Sequence, residues 1–125
     1  MGFAHDNANL KYILADLNSK IAYTAFKFIS PTIKFMPGQV SNVPCEIIEN
    51  SKPTVTQIVN LLIALSQIDW DSYETSWDFQ RHPLIRPVSR LADATAAWKT
   101  ECEQRFLQLK ANEEELNRIF IDIYG

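Results

Sequence analysis

The chain of 125 residues has only three glycines, Gly2, Gly38 and Gly125, scattered along its length. Phosphate and dinucleotide cradles need clustered glycines, so that bare backbone can close on the ligand. No such loop can be assembled here, for a dinucleotide or for S-adenosylmethionine. Histidine is just as scarce. His5 and His82 stand apart from each other and from both cysteines, so the close ligand spacing of a metal site is missing. Asp69 and Asp71 flank a tryptophan, which suits a helix-ending turn better than a cation cage. Cys45 and Cys102 form no Cys-x-x-Cys unit and are too few for a disulfide framework. Both are expected as reduced thiols in a cytoplasmic protein.

No Gly-x-Ser-x-Gly turn is present, and Cys102 falls on an apolar helix seam, where a thiol is usually inert. The expectation is a chain with no catalytic, cofactor-binding or metal-ligating residue. Nor does any apolar run reach the roughly 18 residues needed to span a bilayer. The longest, around Ile58 to Leu65, is broken by Asn60. Residues Met1 to Asp6 lack the basic start and apolar centre of a secretory signal, and Asp6 stands where a myristoylation signal carries Ser or Thr. No membrane contact is expected.

What is present can build a core. Apolar residues make up 46% of the chain, including three Trp and seven Phe, against 22% charged residues. The net charge of −3 is unevenly spread. Residues 1–44 carry Lys11, Lys20, Lys27 and Lys34 against Asp6 and Asp16, a surplus of two positive charges; the remainder carries a deficit of five. By itself the charge count reads as a solvated helix face with lysines on it; if the chain touches nucleic acid, the first third is the expected place. Lys20 and Lys27 lie seven apart on one helix face, Lys34 follows, and Gln39, Ser41 and Asn42 are placed to reach phosphates or base edges.

Apolar spacing predicts a mainly α fold: about four helices, a long irregular connection and one or two short extended segments. The first helix is expected over residues 9–29, with Leu10, Ile13, Leu14, Leu17, Ile21 and Phe28 on its buried face. Asp6 or Asn7 would cap it and Ser30-Pro31 would end it. Ile33 and Phe35 alternate with polar residues before the turn at Pro37-Gly38. A second helix starts near Pro53-Thr54, with a Thr54–Gln57 capping box and a stripe of Val55, Ile58, Val59, Leu62 and Leu65. Between Trp70 and Arg86, Trp70, Tyr73, Trp77 and Phe79 would pin a loop against helices.

The third helix is expected over residues 89–110, on a seam of Val88, Leu91, Thr95, Trp98, Cys102, Phe106 and Leu109. Trp98 and Phe106 are read as core residues. Asn112 would cap a last helix, with Glu113-Glu114-Glu115 at its positive end and Gly125 as its C-terminal cap. Residues 1–50 and 51–125 are expected to differ in character within one compact unit.

Two segments are informative as words. Asp69-Trp70-Asp71-Ser72-Tyr73-Glu74-Thr75-Ser76-Trp77-Asp78-Phe79, followed by His82-Pro83-Leu84, resembles a signature of the BREX-type, PglX-like adenine-specific DNA methyltransferases of phage defence. Residues Asn112 to Gly125 look like a second segment near the C-terminus of that family. Leu17-Asn18-Ser19-Lys20, Ser30-Pro31-Thr32, Gly38 and Val43-Pro44 are similar to the stretch that closes its target-recognition region. Such enzymes are far longer and transfer a methyl group from S-adenosylmethionine to adenine N6 through an Asn-Pro-Pro-Tyr motif, which this chain lacks.

The resemblance thus implies a non-catalytic C-terminal part. Residues 1–50 would end the target-recognition region, and residues 51–125 would form the helical region after it. The remainder of the methyltransferase would be its partner, and DNA would be met through that parent, with Lys20, Lys27, Lys34, Gln39 and Asn42 as candidate contacts. S-adenosylmethionine would be bound by the parent alone. The alternative is a helical protein–protein interaction module docking other phage-defence subunits, on the strength of the aromatic connection and the near-heptad third helix.

Overall fold

The computed structural model describes residues 7–30, 32, 34 and 36–125, and it is mainly helical. Asp6, Pro31, Ile33 and Phe35, read above as a cap, a helix stop and an alternating pair, lie outside the described residues, as do Met1, Gly2 and His5. Five helices are seen among the described residues: α1 (Asn7–Leu17), α2 (Lys20–Ile29), α3 (Pro37–Val40), α4 (Lys52–Trp70) and α5 (Leu91–Tyr124).

The first expected helix is therefore two. Asn18 turns its amide back onto the Leu14 carbonyl at 2.8 Å, and Ser19 leaves helical geometry to cap α2, its Oγ accepting from the Ala22 amide at 3.2 Å. Short polar side chains compete with the helical ladder in this way, which is why they favour helix starts over interiors. The break re-phases the surface. Tyr12, Ala15 and Asp16 are the buried residues of α1, while Leu10, Leu14 and Phe28, assigned to the core by spacing, are exposed.

The opposite change occurs further on. The third and last expected helices are one, and Asn112 sits buried inside α5 instead of capping its end. Its Oδ1 accepts from Gln108 one turn earlier at 3.1 Å. Glu113, Glu114 and Glu115 consequently lie mid-helix, away from a positive helix end, and Glu115 pairs with Arg118 at 3.0 Å. Gly125 closes α5 as expected: its φ of 83° suits glycine, and its amide donates to the Ile121 carbonyl at 2.9 Å.

Between α2 and α4 the described residues contain no strand. The one-turn helix α3 stands there, with Pro37 in its first turn and the Met36 amide donating to Gln39 Oε1 at 3.0 Å. Helix α4 begins at Lys52, ahead of the Thr54 cap that was expected, with Pro53 in its first turn. Its stripe follows the spacing: Val55 and Val59 are buried, and Ile58, Leu62 and Leu65 are half-buried.

The chain divides into two units, Met1–Val59 with Glu113–Gly125, and Asn60–Asn112; α4 and α5 contribute residues to both. In the first, Tyr12 and Phe120 are fully buried and meet edge to face, with ring centroids 5.5 Å apart at 77°. Ala15, Ala22, Val43, Val55, Val59 and Leu116 complete this core.

The second unit is held more by polar bonds. Trp70, Tyr73 and Trp77 are exposed rather than pinned, and Phe79 is half-buried. Ser72 Oγ donates to the Asp69 carbonyl and Ser76 Oγ to Asp71 Oδ1, both at 2.6 Å, closing the turns that follow α4. The Arg86 guanidinium grips Glu101 through both carboxylate oxygens, Nη2 lying 2.7 Å from Oε2. His82 stands edge-on to Trp98, centroids 5.6 Å apart. Along α5 in this unit, Trp98, Cys102 and Leu109 are half-buried, while Val88, Leu91, Thr95 and Phe106 are exposed, so only the middle of the expected seam is covered.

Candidate nucleic-acid interface

Helix α2 presents one continuous open face. Lys20, Tyr23, Thr24, Lys27 and Phe28 follow steps of three, four and one, share a side of the helix, and are all exposed. The other side packs inward through Ala22, which is buried, and Ile21, Phe26 and Ile29, which are half-buried. Phe28 is 84% exposed and Tyr23 59%. The Lys27 ammonium rests 4.5 Å from the Tyr23 ring centroid, a cation–π contact that orders both side chains. The first helical amide, on Lys20, donates to Asn117 Oδ1 at 2.8 Å and fixes this end of α2 to α5.

The remaining candidates follow in the chain. Lys34 is exposed, and its carbonyl accepts from Ser30 Oγ at 3.2 Å and Thr32 Oγ1 at 3.1 Å. Gln39 is half-buried and spends its carbonyl oxygen on the start of α3. Asn42 is exposed, its amide donating to the Gln39 carbonyl at 3.2 Å. Spacing alone paired Lys20 with Lys27, and the structure puts both on α2. Phe28 was counted with the apolar stripe because it lies seven residues from Ile21, and Tyr23 because its ring widens the apolar surface beyond that stripe. The step of three and four from Lys20 was the signal that could have found them.

Beneath this surface lies a buried polar cluster. Asp16 is 1% exposed and takes hydrogen bonds from Tyr124 and from the Cys45 thiol. Burial raises its pKa above the ordinary carboxylate value, partly offset by those two bonds. Cys45 is pushed up to about 12, first by desolvation and then by its bond to Asp16. The residue as a whole counts as exposed, yet its sulfur faces the carboxylate. The thiol is thereby kept protonated and unreactive. Tyr12 Oη donates to the Glu46 carbonyl at 3.1 Å, and Tyr124 Oη accepts from the Glu46 amide at 2.9 Å. These bonds clamp residues 44–48 between α1 and the end of α5, which serves position rather than reaction.

In the second unit, a groove of about 270 Å³ lies between α4 and α5, walled by Leu65, Trp70, Phe106 and Leu109. Arg105 crosses it, 3.9 Å from Asp69 and 3.3 Å from Cys102 Sγ. Its size suits one or two apolar side chains. Among the described residues no three His, Cys, Asp or Glu side chains converge as a metal site would require, and no helix is long and apolar enough to cross a membrane.

No protein-family profile and no solved structure matches the chain. Curated relatives do. It is 41% identical over 129 aligned residues to the adenine-specific methyltransferase PglX of Lacticaseibacillus casei (strain Zhang), a match covering 98% of this chain and 11% of that protein. It is 30% identical over 121 residues to the adenine-specific methyltransferase BrxX of Escherichia coli O9:H4 (strain HS), covering 97% of this chain and 10% of that one. The chain is homologous to a small part of the BREX adenine-specific methyltransferases.

The resemblance carried by the aromatic segment is thus supported along nearly the whole chain. The chain spans about a tenth of the length of the curated relatives it matches. Neither described glycine forms a cradle for a cofactor. Gly38 and Gly125 both face open space, with nothing within 4 Å of an added Cβ, so neither marks a close backbone approach to a ligand.

Proposed function

We propose that this chain is a non-catalytic, C-terminal part of an S-adenosylmethionine-dependent, adenine-specific DNA methyltransferase in phage defence, where it supports recognition of the DNA target. Residues 1–50 close the target-recognition region, residues 51–125 brace it, and methyl transfer takes place elsewhere in the parent. The observation that carries this reading is the end-to-end match to PglX and BrxX at only a tenth of their length. The exposed lysines on and after α2 add the electrostatic part. Lys20, Lys27 and Lys34 contact phosphates, which fixes orientation on the duplex without reading its sequence. Asn42, and Gln39 through its amide nitrogen, supply shorter-range polar contacts.

Titration of the chain with duplex DNA across a range of salt tests the lysine contacts. Three phosphate contacts give a log–log slope of roughly −2.7. Salt-insensitive binding, or none, removes those contacts and leaves the bracing role. The second reading, a helical interaction module, is favoured by the apolar groove at Trp70 and Phe106. Co-purification with other phage-defence subunits tests it: Phe106→Ser should weaken their retention under this reading and leave it unchanged under the first.

A further inference from the structure

We infer that the open face of α2 binds an unpaired nucleic-acid strand, its lysines holding phosphates while Phe28 and Tyr23 stack on bases. The inference rests on the DNA reading above and narrows it. Along the face, cation and ring alternate: Lys20, then Tyr23 and Thr24, then Lys27 and Phe28. The lysines are seven residues apart, about 10 Å along the helix axis, far enough to take different phosphates.

Charge selects the partner. From residue 17 to residue 45 there is no Asp or Glu, although the whole chain is acidic. A face that is only positive repels a second copy of itself and attracts a polyanion. The rings decide which polyanion. A duplex hides its base faces in the stack, so it can use the lysines but gives Phe28 nothing to lie against. An unpaired strand offers base faces beside its phosphates, and aromatic rings interleaved with cations are the means by which proteins hold such strands. Phe28 stands clear of the helix and is the main platform. Tyr23 has one face occupied by the Lys27 ammonium, so it offers the other.

The test uses fluorescence anisotropy with a labelled mixed-sequence single strand of about fifteen nucleotides, its duplex, and anionic phospholipid vesicles as a third probe. The single strand should bind more tightly than the duplex. Phe28→Ala should weaken strand binding by roughly tenfold while leaving duplex binding unchanged, and Phe28→Trp should restore it. Lys20→Gln with Lys27→Gln should weaken both and flatten the salt dependence of both. These side chains are exposed, so circular dichroism should show an unchanged fold. Strand binding insensitive to Phe28→Ala, or a duplex bound as tightly as the strand, overturns the inference while the duplex-contact reading stands. Vesicle binding that depends on Phe28 as strongly as strand binding does also overturns it. Failure to bind either nucleic acid removes both.

Discussion

The hydroxyl of Tyr124 lies 3.3 Å from Asp16 Oδ1, joining two residues separated by 108 positions in the chain. That hydroxyl has one proton, within reach of Asp16 and of the Pro44 carbonyl at 3.1 Å, and it accepts from the Glu46 amide. The bond places the end of α5 against α1 and holds residues 44–46 between them. Asp16 is the acceptor on which the arrangement converges, although burial disfavours its charge.

Asp16 should therefore make stability depend on pH in a direction opposite to that of a salt-bridged carboxylate. Its folded pKa is raised above the ordinary carboxyl value of 3.8, so the folded state binds the proton more tightly than the unfolded state. Stability from this group is fully present below the unfolded pKa and is lost as pH rises from 3.8 through the raised folded value. Asp16→Asn keeps an acceptor and loses the charge. It should be at least as stable as the parent chain at pH 7, with a flatter profile in urea unfolding at pH 4 to 7. Asp16→Ala should cost about 1–3 kcal/mol, because Tyr124 and Cys45 lose their partner. A profile unchanged by Asp16→Asn would show that the carboxylate is not the titrating group.

Ser19 offers a test whose sign depends on the break between α1 and α2. In a continuous helix, Ser19→Ala would stabilise, since alanine is the better helix former. As an N-cap whose Oγ accepts from the Ala22 amide, it should instead cost about 1 kcal/mol, and Ser19→Gly only a few tenths. Chemical denaturation of the three chains measures the difference.

Cys45 should alkylate slowly despite its surface position. A thiol held near 12 has little thiolate at pH 8, so iodoacetamide should react at least roughly a hundredfold more slowly than with an unperturbed cysteine. Asp16→Asn removes the neighbouring charge and should speed the reaction. Mass spectrometry of the labelled peptide over time separates the two cysteines.

Arg86 should hold the connection between α4 and α5 through geometry more than charge. Its two-pronged grip on Glu101 lowers the carboxylate's pKa and raises its own. Lysine supplies the charge without the fork. Arg86→Lys should therefore resemble Arg86→Ala, both giving faster limited proteolysis within residues 71–90, while Lys99→Ala on the exposed side of α5 leaves cleavage unchanged. Proteolysis at the parent rate in Arg86→Lys would assign the hold to charge alone.

Local physics was legible in the residues. The helical class follows from apolar spacing; the buried stripe of α4 follows from Val55 and Val59 one turn apart; the closing Gly125 follows from the need for positive φ. The family resemblance was carried by the side-chain order around Trp70 and Trp77. What spacing could not decide was where a helix is interrupted. Ser19 and Asn112 are both plausible caps by type, yet one breaks a helix and the other is buried inside one. The choice turns on partners distant in sequence. Asn117 receives the first amide of α2, and packing around Leu116 and Phe120 carries α5 past Asn112. A cap contributes about 1 kcal/mol, and burying one large side chain contributes more, so tertiary contacts prevail where the two conflict. The same contacts pair Asp16 with Tyr124. Composition alone sets one limit on every fold of this chain: with Gly2, Gly38 and Gly125 scattered along it, no packing can gather them into a glycine-rich loop.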